Sequence, residues 1–319
     1  MSGMEKEIGG YFGLERSFGR EYYPDLIGVN SGRNALLYIL KAKNIKKLYI
    51  PRFLCDSVSM LCRREGYAYA EYPIDAAFLP VFDRELAEDE YLYIVNFYGQ
   101  ISNLQLLEMK NRWGNVIFDN VQAFFQRPVP GVDTVYSCRK FFGVPDGGYA
   151  ATDRLLPALP EDRSADRMRH ILGRFEDCGS AYYGDFQAND ERFYELPLAG
   201  MSRLTRNILS SVNYDRVRTI RNENYAILAA ALGKKNPLML TQPEGPYCYP
   251  FYCEEGMEIK RKLAAQKIYV ATLWPNVREL EGTLEKDYAE NILPLPCDQR
   301  YDREDMERLI RALNVCMEG

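Results

Sequence analysis

The sequence of 319 residues contains a single histidine, His170. One histidine cannot supply a metal site built from several imidazoles, and it makes a Ser-His-Asp triad difficult to assemble. His170 falls in RMRHILGRF, a predicted helix, where a surface or packing role is expected. We therefore expect no metal site.

Long apolar runs and basic clusters are also lacking. No apolar segment approaches the roughly 18 residues that a membrane-spanning helix needs, and the N-terminal MSGMEKEIGGYFGLE has no apolar signal core. The formal net charge of −5 disfavours nucleic acid and anionic membrane as partners. The eight cysteines form no CxxC pair, which is typical of reduced thiols. We expect a cytoplasmic protein.

Short apolar runs alternate with amphipathic segments from about residue 25 onward. This alternation predicts βαβ units and an α/β fold with a mostly parallel sheet. Strands are predicted in KKLYIP, YAYAEYPI, EYLYIVNFYG, GNVIFDN and DTVYSC. Helices are predicted in SGRNALLYILKAK, with Ser31 as N-cap, in CDSVSMLCRREG, closed by Gly66, and in LQLLEMKNRWG.

The second half of the chain is predicted to lead into a smaller domain. MSRLTRNILSSVNYDRVRTIRNENYAILAAAL predicts one helix or two, and the turn formers in LGKKNPLMLTQPEGP indicate a boundary. Beyond it, strands are predicted in YCYPFYC and IYVAT, and helices in GMEIKRKLAAQ and DREDMERLIRALNV. We expect a large domain over residues 1–233 and a small α+β domain over 234–319.

Three segments carry residues suited to chemistry at the carboxyl ends of the predicted strands, where ligands bind in such sheets. NSGRNAL opens a helix with Gly32, which suits a phosphate or a plain capped helix start. Asp119 follows the apolar VIF, where it could bind a cation, a ribose hydroxyl or a protonated ring nitrogen, or cap a loop.

Lys140, in the third segment SCRKFFGVPDGG, follows a predicted strand and precedes a turn. The aromatic residues Phe141 and Phe142 and the cation Arg139 flank it. Desolvation and a neighbouring positive charge both favour the neutral amine that attacks a carbonyl. The alternative is a solvated surface lysine.

The order of these segments resembles that of fold-type I enzymes dependent on pyridoxal 5'-phosphate (PLP), and more specifically the DegT/StrS-type sugar aminotransferases. SGRNAL is similar to that family's SGT-A-AL, and FDNVQA to its ED-A-A-Q/H-A. SCRKFFGVPDGGYAATD resembles its S-F-x-x-x-K-N-x-x-x-G-E-G-G-x-x-x-T, and LPLPCDQRYDREDMERLIRAL its closing segment. The resemblance covers nearly the whole chain. The chain is shorter than typical members of that family.

The resemblance implies the roles of three side chains. Lys140 would form the Schiff base with PLP and later move a proton between the substrate and the cofactor. Asp119 would pair with the pyridine nitrogen and keep it protonated. Gln122 would donate a hydrogen bond to the cofactor's phenolic oxygen.

The same resemblance implies a phosphate site. Backbone N–H groups of Gly32, Arg33 and Asn34 would bind the phosphate. Arg33 stands where the family has Thr or Ser, and its side chain could contact the phosphate or point to solvent. The family's phosphate-binding serine corresponds to Val135, so Ser137 or Arg139 could substitute for it.

The residues around the substrate depart further from the family. Tyr98 could line the substrate pocket or belong to the core, and Arg139 could also line the pocket. A strict count places Cys55 where the family has the aromatic residue that stacks on the cofactor, and Phe53 could stack instead. The family's N-Y-R motif is replaced by residues 198–200, which leaves the substrate range open.

The function implied is transfer of an amino group from a glutamate-like amino acid to a keto sugar. The sugar would be nucleotide-linked and used in surface polysaccharide or amino-sugar biosynthesis, and the protein would be a homodimer. Two alternatives remain: a catalytically degenerate PLP-fold protein with a regulatory or binding role, and an unrelated α/β protein. The first two readings predict that Lys140 and Asp119 converge at the carboxyl edge of the sheet, in a pocket near Gly32.

Overall fold

A seven-stranded β-sheet crosses the computed structural model, which describes residues 8–318. Its strands are β1 (Ile27–Val29), β2 (Lys47–Pro51), β3 (Ala68–Tyr72), β4 (Glu90–Val95), β5 (Val116–Asp119), β6 (Asp133–Ser137) and β7 (Gly148–Ala151). They lie in the order β1-β7-β6-β5-β4-β2-β3. β7 is antiparallel to β1 and β6, and the other neighbouring strands pair in parallel. The predicted mostly parallel sheet is confirmed.

Helices connect the strands and cover the sheet. Their bounds are α1 (Gly32–Ala42), α2 (Asp56–Glu65), α3 (Asn103–Trp113), α4 (Arg169–Glu176), α5 (Tyr183–Arg192), α6 (Arg203–Ser210), α7 (Tyr214–Leu232), α8 (Gly256–Ala265), α9 (Leu284–Asn291) and α10 (Arg303–Glu318). Ser31 caps α1 by accepting a hydrogen bond from the Asn34 N–H, and Gly66 ends α2 with a left-handed φ of 76°. Within residues 8–318 none of the helices has the length and apolarity required to cross a membrane.

The long helical segment before the small domain forms two helices. Asn213 lies between α6 and α7, and its side chain accepts a hydrogen bond from the Arg216 N–H. This cap starts α7 as a new helix, because it satisfies an N–H that has no partner within the helix. The sequence left open one helix or two over this segment, and the structure has two.

The smaller sheet has two antiparallel strands, β8 (Tyr249–Tyr252) and β9 (Ile292–Leu295). The strand predicted in IYVAT is wrong, since residues 268–272 form no strand. Ile268 and Val270 pack against the small-domain core while Tyr269 is exposed, so the side chains do alternate between core and solvent as the sequence pattern indicated. β9 takes the place beside β8, and residues 268–272 have no partner strand.

The apolar core of the small domain extends across the expected boundary. Tyr225, Leu228 and Leu232 of α7 pack with Phe251 and Leu313. The C-terminal half of α7 therefore belongs to the small-domain core, although it precedes residue 234. The division at 233/234 stays a prediction, and α7 joins the two parts.

Lys260 on α8 is a buried lysine that forms no ion pair with the described residues. Its side chain is 6% exposed, and its Nζ has no hydrogen-bond acceptor among the described residues. Burial lowers the pKa of Lys260 from 10.5 to about 8. A folded-state pKa below the unfolded value means that the ammonium form opposes folding.

We predict that Lys260→Met stabilises the protein at neutral pH. The cost of burying the charge is present below the folded pKa of about 8 and fades as the pH rises towards 10.5. The gain should be about 1–2 kcal/mol at about pH 7 and smaller at about pH 10, measured by urea unfolding. Exposed Lys234→Met is the control. A destabilising effect of Lys260→Met at both pH values would contradict the assignment.

Candidate active site

The carboxyl ends of four strands bring the predicted site segments to one edge of the sheet. Asp119 at the end of β5 pairs in register with Val95 of β4 and Val135 of β6. Ser137 at the end of β6 pairs with Gly148, where antiparallel β7 begins. The segments 30–32, 96–98, 120–122 and 138–140 therefore leave the sheet at neighbouring positions.

Glycine allows the N-terminus of α1 to lie against this edge. A Cβ atom at Gly32 would be 3.1 Å from Cβ of Ser137 and 3.4 Å from Cγ1 of Val121. A Cβ at Gly148 would be 2.5 Å from the carbonyl carbon of Ser31 and 2.6 Å from the Gly32 nitrogen. Side chains at either position would push α1 away from β6 and β7.

Two of the three backbone N–H groups predicted to bind phosphate remain free. Those of Gly32 and Arg33 have no acceptor within the described part of the chain. The N–H of Asn34 instead donates to Oγ of Ser31, at 3.0 Å. The Asn34 side chain donates to Oδ1 of Asn30, at 2.7 Å, and thereby holds the turn before α1. Gly32 and Arg33 are thus the available donors.

Asp119 is a buried carboxylate with defined hydrogen bonds. It is 3% exposed; Oδ2 accepts from the Tyr93 hydroxyl at 2.5 Å and Oδ1 from the Val121 N–H at 2.8 Å. Burial raises the pKa of Asp119, while those two hydrogen bonds and the charge of Lys140 act against the rise. A carboxylate taken out of water in this way favours a cationic partner.

Gln122 carries an unsatisfied donor. The residue is 1% exposed, and its Oε1 accepts from the Tyr98 N–H at 2.8 Å. Its Nε2 has no acceptor among the described residues. A buried donor without a partner costs about 1–3 kcal/mol, which points to an acceptor supplied from outside the chain.

Lys140 is exposed, and its amine has no carboxylate or hydrogen-bond partner within the described residues. The Nζ atom lies 5.7 Å from the ring centre of Tyr247. The two following residues, Phe141 and Phe142, are buried with Phe124 in a separate apolar cluster. These rings fix the backbone at Lys140 and leave its amine free to react.

Asp146 anchors the turn that follows Lys140, a role that sequence reasoning did not assign. Its buried carboxylate accepts from the N–H and Oγ of Ser202, at 2.9 and 2.6 Å, and from Oγ1 of Thr205. The N-terminus of α6 is thereby tied to the turn. The sequence signal was the likeness of PDGG to the family's G-E-G-G.

The aromatic residues expected near the substrate lie in the core. Phe53 is 0% exposed, with its ring centre 4.3 Å from Trp274 and 5.1 Å from Phe97. Tyr98 is buried against Phe78 and Trp274, so the structure corresponds to its core interpretation. Both rings are buried in this structure.

Cys55, at the position given by the strict count, is half-buried at the N-cap of α2. It lies near Arg33: burial lowers the pKa of Arg33, and Tyr194 and Cys55 oppose that shift. Cys55 therefore lies near one of the residues predicted to bind the phosphate.

Two surface clefts lie away from the sheet edge. One, of about 410 Å³, lies between α4 and α5 and is lined in part by His170 and Asn189. The other, of about 370 Å³, lies beside α6. Neither cleft is lined by Lys140, Asp119 or Gln122. The candidate site is therefore identified from the side chains at the sheet edge and not from a cleft.

Comparison with known proteins finds relatives only at the level of structure. No protein-family model matches the sequence, and no curated protein matches it. NtdA from Bacillus subtilis, with bound PMP, is 17% identical at a TM-score of 0.65, covering 92% of this chain and 73% of its own.

Two further solved structures are similar. A putative sugar aminotransferase from Streptococcus pneumoniae in its PLP form is 15% identical at a TM-score of 0.63, covering 92% of this chain and 87% of its own. A DegT DnrJ EryC1 StrS aminotransferase from Brucella abortus is 15% identical at a TM-score of 0.60, and the match covers 91% of this chain and 85% of that one.

The chain has the fold of the DegT-type sugar aminotransferases. The fold class expected from the sequence is confirmed, both for the mostly parallel sheet and for the smaller C-terminal part.

We predict that Tyr93→Phe destabilises the protein in a pH-dependent way. The Tyr93 hydroxyl stabilises the ionised form of Asp119, so its contribution is present above the pKa of Asp119 and is lost as the pH falls through it. Urea unfolding should show a loss of about 1–2 kcal/mol at about pH 8 and a smaller loss near pH 5.

Tyr72→Phe is the matched control for this prediction. The Tyr72 hydroxyl donates to the neutral carbonyl of Tyr93, at 2.6 Å, and is also buried. Its loss should cost the same at both pH values. An equal, pH-independent cost for Tyr93→Phe would contradict this prediction, because it would show that the protonation of Asp119 does not change between the two pH values.

Proposed function

We propose that this protein is a PLP-dependent aminotransferase that transfers an amino group from a glutamate-like amino acid to a nucleotide-linked keto sugar. One observation carries the proposal. A free lysine amine, a buried carboxylate and a buried unpaired amide donor, on Lys140, Asp119 and Gln122, leave neighbouring strands at one sheet edge.

The residues present fit the cofactor. PLP supplies an electron sink for the carbon next to the transferred amino group. Asp119 would hold the proton on the pyridine nitrogen, since its buried carboxylate favours a cation. Gln122 Nε2 would donate to the phenolic oxygen, which satisfies the unpaired donor. The N–H groups of Gly32 and Arg33, beside Ser137, would bind the phosphate.

Lys140 would act through its amine in two ways. Its Nζ would hold the cofactor covalently. As a free amine it would accept a proton from the substrate Cα and donate one to the cofactor. An exposed amine that has no partner among residues 8–318 can take both roles, because no ion pair with those residues has to be broken first.

The substrate class rests on likeness. Solved structures with this fold include putative sugar aminotransferases, and the motifs of this sequence resemble the same family. We propose surface polysaccharide or amino-sugar biosynthesis in the cytoplasm as the setting, and a homodimer as the assembly. Residues 198–200, in place of the N-Y-R motif, would alter the contacts with the substrate.

The absorption spectrum tests this function. The purified protein with added PLP should develop a visible absorption band that Lys140→Ala abolishes. Lys46→Ala, which removes an exposed lysine at the amino end of β2 on the opposite sheet edge, should keep the band. Adding glutamate should bleach it, because the amino group passes to the cofactor.

Each failure of this test has a separate meaning. A band that forms and persists in glutamate and other amino acids would favour the regulatory or binding role over catalysis. No band with excess PLP would contradict the proposed function. A band that persists in Lys140→Ala would assign the cofactor to another lysine.

A further inference from the structure

We propose that Arg33 and Arg139 clamp the phosphate of the cofactor through their side chains, and that Tyr194 and Asp190 position these two guanidinium groups. The inference rests on the proposed function, and it assigns roles to a segment outside the resemblance motifs. Asp190 lies on α5 and Tyr194 just after it.

Arg33 carries a guanidinium group without an anion. Its Nε and Nη1 atoms are buried and have no acceptor among the described residues, where Arg33 also forms no ion pair. The group lies 4.2 Å from the ring centre of Tyr194. Stacking on an aromatic ring only partly replaces lost hydration. An anion with several acceptor oxygens would satisfy both unpaired N–H groups.

Tyr194 is itself held at both ends. Its carbonyl accepts from Nη1 of Arg64 at 2.5 Å, and its hydroxyl donates to Oδ1 of Asp56 at 3.4 Å. The ring is therefore fixed between α2 and the segment after α5. A fixed ring restricts the guanidinium of Arg33 and lowers the entropy lost when a ligand binds.

Arg139 provides the second guanidinium group. Its Nη2 lies 3.1 Å from Oδ1 of Asp190, and the group lies 4.3 Å from the ring centre of Phe193. The Arg139 side chain is mostly buried, whereas that of Asp190 is 54% exposed. A guanidinium has five N–H donors, so one carboxylate leaves donors for a phosphate.

The two arginines act at one place. Burial lowers the pKa of Arg139, and Arg33 is among the charges that lower it further. Gly32 packs against Ser137, so the start of α1 and the end of β6, which carry the two arginines, are in contact. Arg64 and Arg167, which are also close, have their own carboxylate partners, Glu65 and Asp162. Among the described residues Arg139 pairs with Asp190 and Arg33 pairs with no carboxylate, so these two guanidinium groups leave a positive charge that favours an anion.

Gln122 gives an independent indication of a ligand at this edge, because its buried Nε2 has no acceptor among the described residues. Gln122 is close to the start of α1, since the preceding residue, Val121, lies against Gly32. The chain differs here from the family it resembles, which has Thr or Ser in place of Arg33 and a serine in place of Val135. Charge-assisted hydrogen bonds are stronger than those from hydroxyls, so two guanidinium groups can replace the lost contacts.

Comparing PLP with pyridoxal, which lacks the phosphate, tests the clamp. Arg33→Gln should weaken PLP binding about 10- to 100-fold and leave pyridoxal binding unchanged, measured from the visible band. Tyr194→Leu should weaken PLP binding selectively but less. Tyr194→Phe should restore most of that loss, because the ring and the carbonyl contact with Arg64 are retained. Tyr69→Leu, which removes the ring near Arg63, is the matched control.

Inorganic phosphate separates this inference from the proposed function. At constant ionic strength, phosphate should raise the melting temperature of the wild-type protein without cofactor but not that of Arg33→Gln. No phosphate effect on the wild type, or equal losses of PLP and pyridoxal in Arg33→Gln, would overturn the clamp. A phosphate effect that depends on Arg33 without any visible band would support the clamp and contradict the aminotransferase.

Discussion

The close packing of the α1 N-terminus on β6 and β7 is the constraint on which the candidate site depends. Gly148 lies against the peptide between Ser31 and Gly32, and Gly32 lies against Ser137. This contact places the free N–H groups of α1 beside the strand that leads to Lys140. Any side chain at the two glycines would separate the proposed phosphate site from the lysine, even with the sheet intact.

The site residues are held in states that a ligand would stabilise. Asp119 is buried with a raised pKa, and among the described residues the Gln122 amide and two N–H groups of Arg33 have no acceptor. Each costs free energy in the protein alone, and under the proposed function each would match a different part of one molecule: a ring nitrogen, a phenolic oxygen and a phosphate. Such local costs are typical of functional sites, since stabilisation elsewhere in the fold offsets them.

Much of this could be predicted from the sequence, because the signals were local. The alternation of strands and helices, the cap at Ser31 and the stop at Gly66 depend on neighbouring residues. Asp119 and Lys140 could be located because each follows an apolar strand. The β8–β9 pairing could not, since Tyr249 and Leu295 meet only in the fold. The same holds for the burial of Phe53 and for Tyr194 stacking on Arg33.

Chemical mapping of the cofactor attachment tests the central claim most directly. The protein loaded with PLP is reduced with borohydride, digested and analysed by mass spectrometry. The account predicts a single phosphopyridoxyl group on the peptide that contains Lys140. Its main rival within the chain is Lys260, whose lowered pKa also favours a neutral amine. Labelling of Lys260 or of another lysine, with Lys140 unmodified, would contradict the account.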